Sequence, residues 1–303
     1  MTQIKNEIAN KKKIQDFWGD LYNSLYEEVD KQITTEKLES GLIELENMFR
    51  LRSHMAVSEM SLEKLSGKQI LEIGPGAGAH SALFAKYNAV VTSVDITFER
   101  VQSTQKKFIV LDKTIAGCQA IQGDAENLPF SDSSFDIIYS NGVLHHSTNT
   151  KTAVREAYRL LKPGGKAIIM LYCKNSWHYW VNMLFFEGIC RGKLALGKNW
   201  LGHITEWGGN KKQTQTNPYT KCFTKKEIKN LFKEFKTIQL RKAEFYFYLI
   251  PVVGKLYRIW QKKYLGLHPG GELVYGEPWP IQSRLELFLG KYLGWAWFVS
   301  VKK

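Results

Sequence analysis

From Lys68 to Tyr172 the chain alternates short aliphatic, β-branched runs with helix-length segments: KQILEIG, GAHSALFAKY, AVVTSVD, TFERVQSTQKKF, GCQAIQGD, FDIIYSNG, TKTAVREAYRLL and KAIIMLY. Strands separated by helices of about 10–15 residues must pair in parallel through right-handed crossovers, which lay helices against the sheet. That pattern predicts an α/β fold. Residues 1–66 read differently. They contain no strand run, and Leu42, Leu45, Met48 and Phe49 recur at spacings of three and four, which predicts a helical N-terminal segment ahead of the domain at 67–303.

After Tyr172 the alternation returns only in fragments. TKKEIKNLFKEF (224–235) reads as a helix opened by Thr224, TIQLRKAEFYF (237–247) as a strand, and GWAWFVSVKK (294–303) as a closing strand. Between them lie two stretches, 174–222 and 248–293, rich in Trp, Tyr, Phe, Gly and Lys. They are too long for ordinary connections and are expected to be insertions that fold together into a cap.

Composition narrows the class. With 44% apolar and 23% charged residues in 303, the chain is an ordinary globular one. It has no run of 18 apolar residues, and the polar stretch Met1 to Lys13 lacks an apolar signal core, so a cytoplasmic location is expected. Cys118, Cys173, Cys190 and Cys222 lie far apart without a C-x-x-C pair, so neither a metal site nor a disulfide framework is expected. The net charge of +13 first suggests a nucleic-acid or anionic-surface partner. Its distribution changes that reading: residues 1–60 carry −3, residues 61–175 carry +3, and residues 176–303 carry +13.

The chemistry-bearing residues fall at the carboxyl ends of successive strands, where open α/β sheets bind ligands. Leu71-Glu72-Ile73-Gly74-Pro75-Gly76-Ala77-Gly78 is a buried strand entering a glycine-rich turn and then a helix, a device for bringing backbone N–H groups close to an anion. Alone it is ambiguous, because Gly74, Gly76 and Ala79 also satisfy a nicotinamide-binding G-x-G-x-x-A pattern. Asp95 ends the next strand, where a carboxylate can accept ribose hydroxyls. Gly123-Asp124-Ala125-Glu126 follows the third strand, Ser140-Asn141-Gly142-Val143-Leu144-His145-His146 the fourth, and Leu161-Lys162-Pro163-Gly164-Gly165 precedes the fifth.

Together these residues resemble the class I S-adenosylmethionine-dependent methyltransferases, in particular the group similar to the ubiquinone and menaquinone C-methyltransferases. The resemblance covers about residues 68–173 and sets the nicotinamide reading aside. It implies a Rossmann-like seven-stranded, mostly parallel sheet with helices on both faces, closed by a sixth strand and an antiparallel seventh. It further implies S-adenosylmethionine as cofactor, with Glu72, Gly74, Gly76 and Gly78 around its methionine part. Asp95 would hold the ribose hydroxyls and Ile96 the adenine face. Asp124 and Ala125 would meet the adenine edge, and Ser140 or Asn141 the sulfonium end. Pro75 departs from the pattern by removing one N–H from the turn.

His145 and His146 are the titratable pair expected beside the methyl group, with His145 the preferred base. Trp18, Tyr22 and Tyr26 resemble an aromatic lid over the cofactor, and Tyr172, Trp207 and Tyr219 are expected at the acceptor. The expected reaction is methyl transfer to a small-molecule or lipid-like acceptor, anionic or met at an anionic membrane surface, since FYFYLIPVVGKLYRIWQKKYLG (245–266) interleaves aromatic and basic residues too briefly for a span. A nucleic-acid methyltransferase is disfavoured, because Ser140-Asn141-Gly142-Val143 lacks the Pro-Pro-aromatic run of the base-modifying enzymes. A non-catalytic cofactor binder is opposed by the intact glycine turn, Asp95 and Asp124. No feature sets an oligomeric state.

Overall fold

The computed structural model describes residues 2–114, 116–205 and 216–303, with side chains from all of these except 2–8 and 23–25. The preface is helical as expected: α1 (Thr2–Leu25), α2 (Glu27–Lys31), α3 (Thr35–Leu51) and α4 (Met55–Ser58). Thr34 starts α3 by accepting the Lys37 N–H on its side-chain oxygen. The apolar row Leu38, Leu42, Leu45, Met48 and Phe49 then buries completely.

The alternating region folds as β1 (Gln69–Ile73), α5 (Ala79–Lys86), β2 (Val90–Asp95), α6 (Phe98–Val110), β3 (Gln119–Gln122), β4 (Phe135–Asn141), α7 (Thr150–Leu160) and β5 (Leu161–Tyr172). The C-terminal elements are α8 (Lys225–Leu231), β6 (Thr237–Ala243), α9 (Gly254–Tyr264), β7 (Leu267–His268), α10 (Glu272–Tyr275), β8 (Trp279–Pro280), α11 (Arg284–Leu293) and β9 (Ala296–Lys302). Among the described residues the main sheet has seven strands in the order β3-β2-β1-β4-β5-β9-β6. Strands β1 to β5 pair in parallel, and β9 enters antiparallel between β5 and β6, with Tyr172 opposite Ala296 and Ala243 opposite the same residue.

Successive strand residues feed two different cores, as the period-two pleat requires. Ile70, Val91, Tyr139, Ile168 and Phe298 pack with α3, α5 and Phe108 of α6 on one face. Leu71, Val94, Ile138, Ile169 and Val299 pack with Ala153, Val154 and Ala157 of α7 and with Ile228 of α8 on the other. The preface therefore shares a core with the sheet.

Two boundaries are shorter than the sequence pattern suggests. Thr224 and Glu227 form a capping box that opens α8, but the helix ends at Leu231. Strand β6 stops at Ala243 because Glu244 takes φ +66°, which breaks the pleat. In the first insertion, residues His178–Cys190 wind as a π-helix.

Candidate functional site

The carboxyl ends of β1, β2, β4 and β5 open onto a cavity of about 480 Å³, which the loop after β3 also lines. Gly74 continues β1 into the turn by donating its N–H to the Val94 carbonyl at 2.8 Å. Its φ of +72° and the Val143 methyls, which an added Cβ would approach to 2.3 Å, leave room for glycine alone. Gly76 differs: an added Cβ would meet only Arg100 Nη1, at 3.7 Å, so this face of the turn looks into the cavity. Gly78 caps α5 from φ +80° and packs on Thr104 instead of lining the cavity.

Asp95, at the end of β2, lines the cavity while buried. Its Oδ1 accepts from the Thr97 N–H (2.9 Å) and hydroxyl (3.0 Å). Burial pushes its carboxyl above the ordinary carboxylate range, against the pull of Arg100 and the Thr97 donors. Ile96, Asp124, Ala125 and Asn141 line the same cavity. Asp124 is met by Lys11 Nζ from α1 at 2.6 Å.

Two expected residues sit behind the wall. Glu72 is fully buried, accepting from the Ser81 hydroxyl, with its other oxygen 3.5 Å from His80 Nδ1. Ser140 is also fully buried, and its hydroxyl donates to the Ile73 carbonyl at 2.9 Å. Both brace the turn from beneath; neither lines the cavity.

The structure places the two histidines differently. His145 is fully buried and does not line the cavity, its ring packed 3.7 Å from that of Tyr172. Burial, reinforced by neighbouring His146, drives its basicity far down. His146 does line the cavity. Its Nδ1 lies 2.8 Å from the Tyr219 carbonyl, 3.1 Å from the Asn217 amide nitrogen and 3.3 Å from the Thr220 hydroxyl, which hold the ring in place from the side away from Nε2.

The lid residues separate similarly. Trp18 and Tyr26 line the cavity, as does Tyr172. Tyr22 faces away and donates to Asp30 Oδ2 at 2.5 Å, and Tyr219 acts through its carbonyl on His146 rather than through its ring. Trp207 lies outside the described residues.

The far wall was not foreseen. Glu244, Tyr246, Tyr248, Leu273, Tyr275 and Trp279 enclose it, all but the first two from the second insertion. The first insertion contributes only His178 among the described residues, so the expected joint cap is one-sided at the cavity. Behind this wall Arg52 is buried at the end of α3, with Nη2 2.7 Å from Glu244 Oε2 and Nη1 3.0 Å from the Tyr275 hydroxyl. Burial works against its charge, but Glu244 and the surrounding phenols keep it firmly protonated. No local pattern marks Arg52, because its partner is 192 residues away. His80, which lines the cavity at the second position of α5, could have been found from its place just after the glycine turn.

Comparison with known proteins bears on the segment that carries the glycine turn, Asp95 and Asp124. Residues 71–169 match the family model of a methyltransferase domain, Methyltransf_11. The chain is 36% identical over 102 residues to the uncharacterized methyltransferase YcgJ of Bacillus subtilis, covering 34% of this chain and 40% of that one. It is 33% identical over 115 residues to the ubiquinone/menaquinone biosynthesis C-methyltransferase UbiE of Pseudomonas fluorescens, covering 37% and 44%. It is 35% identical over 103 residues to the phthiotriol/phenolphthiotriol dimycocerosates methyltransferase of Mycobacterium leprae, covering 33% and 36%. Each match thus spans less than half of the relative. The crystal structure of the [4+2]-cyclase SpnF superposes with a TM-score of 0.51 at 15% identity, over 84% of this chain and 80% of that one, a likeness of fold alone. The open sheet, the glycine turn and the matched segment together make residues 71–169 a class I S-adenosylmethionine-dependent methyltransferase domain of the UbiE and YcgJ group, with S-adenosylmethionine as its cofactor.

Proposed function

We propose that the whole chain is a methyltransferase acting on an apolar, ring-bearing or lipid-like acceptor, releasing S-adenosylhomocysteine. The observation that carries this reading is that one cavity has two chemically different walls. On one side stand the glycine turn, Asp95 and Asp124; on the other stand Tyr246, Tyr248, Tyr275 and Trp279. The first side suits a charged nucleoside cofactor, and the second suits a flat or greasy acceptor held by ring faces. The names of two relatives, a ubiquinone/menaquinone biosynthesis C-methyltransferase and a phthiotriol/phenolphthiotriol dimycocerosates methyltransferase, support an acceptor of this class.

The residues fit the cofactor. Gly76 offers an open backbone face for its methionine part, Asp95 Oδ2 remains to accept ribose hydroxyls, and Ile96, Asp124 and Ala125 would frame the adenine. When bound, the sulfonium supplies an activated methyl group for in-line displacement. The chain supplies position and a proton acceptor. Trp18 and Tyr172 confine the space around His146, and His146 Nε2 would take the proton lost by the acceptor, while His145 buttresses the Tyr172 ring.

The acceptor need not be anionic, because the far wall presents the Glu244 carboxylate and phenols while Arg52 stays behind it. The basic excess instead suits a cytoplasmic protein working beside an anionic membrane surface. None of the described helices is long and apolar enough to cross a bilayer. The test has two arms. Calorimetry should show S-adenosylmethionine binding that collapses in Asp95→Ala. Protein incubated with methyl-labelled cofactor and fractionated extract should pass label into the lipid or small-molecule fraction; label confined to RNA would overturn the acceptor class.

A further inference from the structure

Two neighbouring helices of the second insertion are built inside out. In α9 the residues turned toward the protein are Gly254, Tyr257 and Gln261, and Gln261 spends its amide on the Ile281 carbonyl at 2.9 Å. Leu256, Ile259, Trp260 and Tyr264 remain exposed, Leu256 at 70%. At about 100° per residue these four side chains span roughly 140° of the helix surface, a sector that also holds the exposed Lys263, and Lys255, Arg258 and Lys262 occupy the adjoining sector of roughly 60°. The helix contains no Asp or Glu. Val252 and Val253, just before it, are also exposed.

Helix α11 repeats the inversion. Glu286 is fully buried, accepting from the Phe247 N–H and the Tyr257 hydroxyl, while Leu285, Phe288 and Tyr292 stay exposed at spacings of three and four. The Tyr257 hydroxyl also ties the two helices together, 3.0 Å from Glu286 Oε2. An open apolar groove of about 520 Å³ runs along this insertion, lined by Phe247, Ile250, Val253, Leu256, Tyr257 and Trp260.

A helix on a water-facing surface turns its apolar stripe inward. Here polar groups are buried and the stripe is presented outward, beside basic residues of which Lys255 and Lys262 have no ion-pair partner among the described residues. An apolar stripe with an uncompensated basic flank matches an anionic lipid surface on both counts. A second copy of the chain would bring the same lysines against one another.

We propose that α9 and α11 form an interfacial docking face that seats the protein on a bilayer containing anionic lipid. The same insertion supplies Tyr248, Leu273, Tyr275 and Trp279 to the cavity, so a docked molecule would hold its aromatic wall close to the lipid phase. That the acceptor enters from the bilayer rests on the acceptor reading above; the docking itself does not.

Flotation of the full chain with vesicles tests it, using equal parts phosphatidylcholine and phosphatidylglycerol against phosphatidylcholine alone. The expected result is co-flotation with the anionic vesicles only, weakened at high salt. Leu256→Glu with Ile259→Glu should lower the bound fraction at least about tenfold. Lys255→Glu with Lys262→Glu should also abolish the salt-sensitive share. Calorimetric cofactor binding checks that each variant is folded. Native protein that stays off anionic vesicles, or variants that float like the native chain, would overturn the proposal. So would a native dimer that these variants convert to monomer in light scattering, since a second copy would then be the occupant. Native protein that binds cofactor without floating defeats the docking alone, and protein that floats without binding cofactor defeats the methyltransferase reading alone.

Discussion

The indole of Trp18 meets the imidazole of His146 edge-on, with ring centroids 4.9 Å apart, so the N-terminal helix touches the residue at the end of the fourth strand's loop. The same indole lies 5.1 Å from the Arg100 guanidinium, which places α1 as a cover held from two sides. An aromatic pair and a cation–π contact are worth about 1–2 kcal/mol together. Both contacts exist without cofactor, so Trp18→Ala should lower the melting temperature of the cofactor-free protein by a few degrees and, with the cover loosened, speed cofactor dissociation by up to about 5- to 30-fold in stopped-flow displacement. An unchanged dissociation rate would show that α1 does not cover the cofactor.

Asp95 is predicted to serve binding at the expense of stability. Its carboxyl is held above the ordinary value by burial, so the unfolded chain ionises it more readily than the folded one. Above the unfolded value the folded protein thus carries a cost, relieved as pH falls through the raised folded value. Asp95→Asn keeps an oxygen for the Thr97 donors and removes the charge. Its melting temperature without cofactor should rise, while cofactor affinity falls about 10- to 100-fold, the loss of charge-assisted hydrogen bonds. A lower melting temperature would make the carboxylate structural.

Two glycines on either side of Pro75 should respond in opposite ways. Gly74→Ala drives a methyl into Val143 at a positive φ, and should unfold the turn or reduce expression sharply. Gly76→Ala meets open space and pays only the left-handed strain of about 1–2 kcal/mol. It should remain folded in circular dichroism and lose cofactor binding. Full binding by Gly76→Ala would place the cofactor elsewhere.

Acid should destabilise the fold through its buried histidines. His54 and His145 are held far below their ordinary value by burial, and burial takes His178 down to about 4. Each takes up a proton on unfolding below about pH 6.5 but not in the folded state. Stability is therefore complete above that pH and falls beneath it by about 1.4 kcal/mol per pH unit per histidine. His268 is lowered by burial as well, so urea titrations between neutral pH and pH 5 should show a combined slope to which it adds, and His145→Gln should reduce that slope by no more than about a third. A slope unaffected by that substitution would mean His145 is protonated when folded.

The legible parts of the molecule were those whose causes are local. Short β-rich runs around Ile70, Val91 and Ile138, alternating with helix-length segments, marked the strands, Thr224 announced its helix, and the glycine turn, Asp95 and Asp124 fall on one cavity. What sequence could not order was the choice between adjacent residues. A single step along the loop after β4 buries His145 behind Tyr172 and sends His146 into the cavity, and both carry the same side chain. The aromatic wall was hidden for another reason: it assembles from α10, β8 and the end of β6, and no periodicity links residues 244, 275 and 279.

The Arg52–Glu244 pair also has a meaning for the order in which the chain can mature. On the ribosome, residues 1–66 and the first five strands emerge long before Glu244, and until then the Arg52 guanidinium lacks the carboxylate that compensates its burial. The corner between α3 and α4 cannot close over the sheet at its final depth during that interval. Late synthesis of Glu244, just past β6, therefore acts as the latch, and the core shared by α3 and the early strands should gain its full protection from hydrogen exchange only once the last third of the protein has been made.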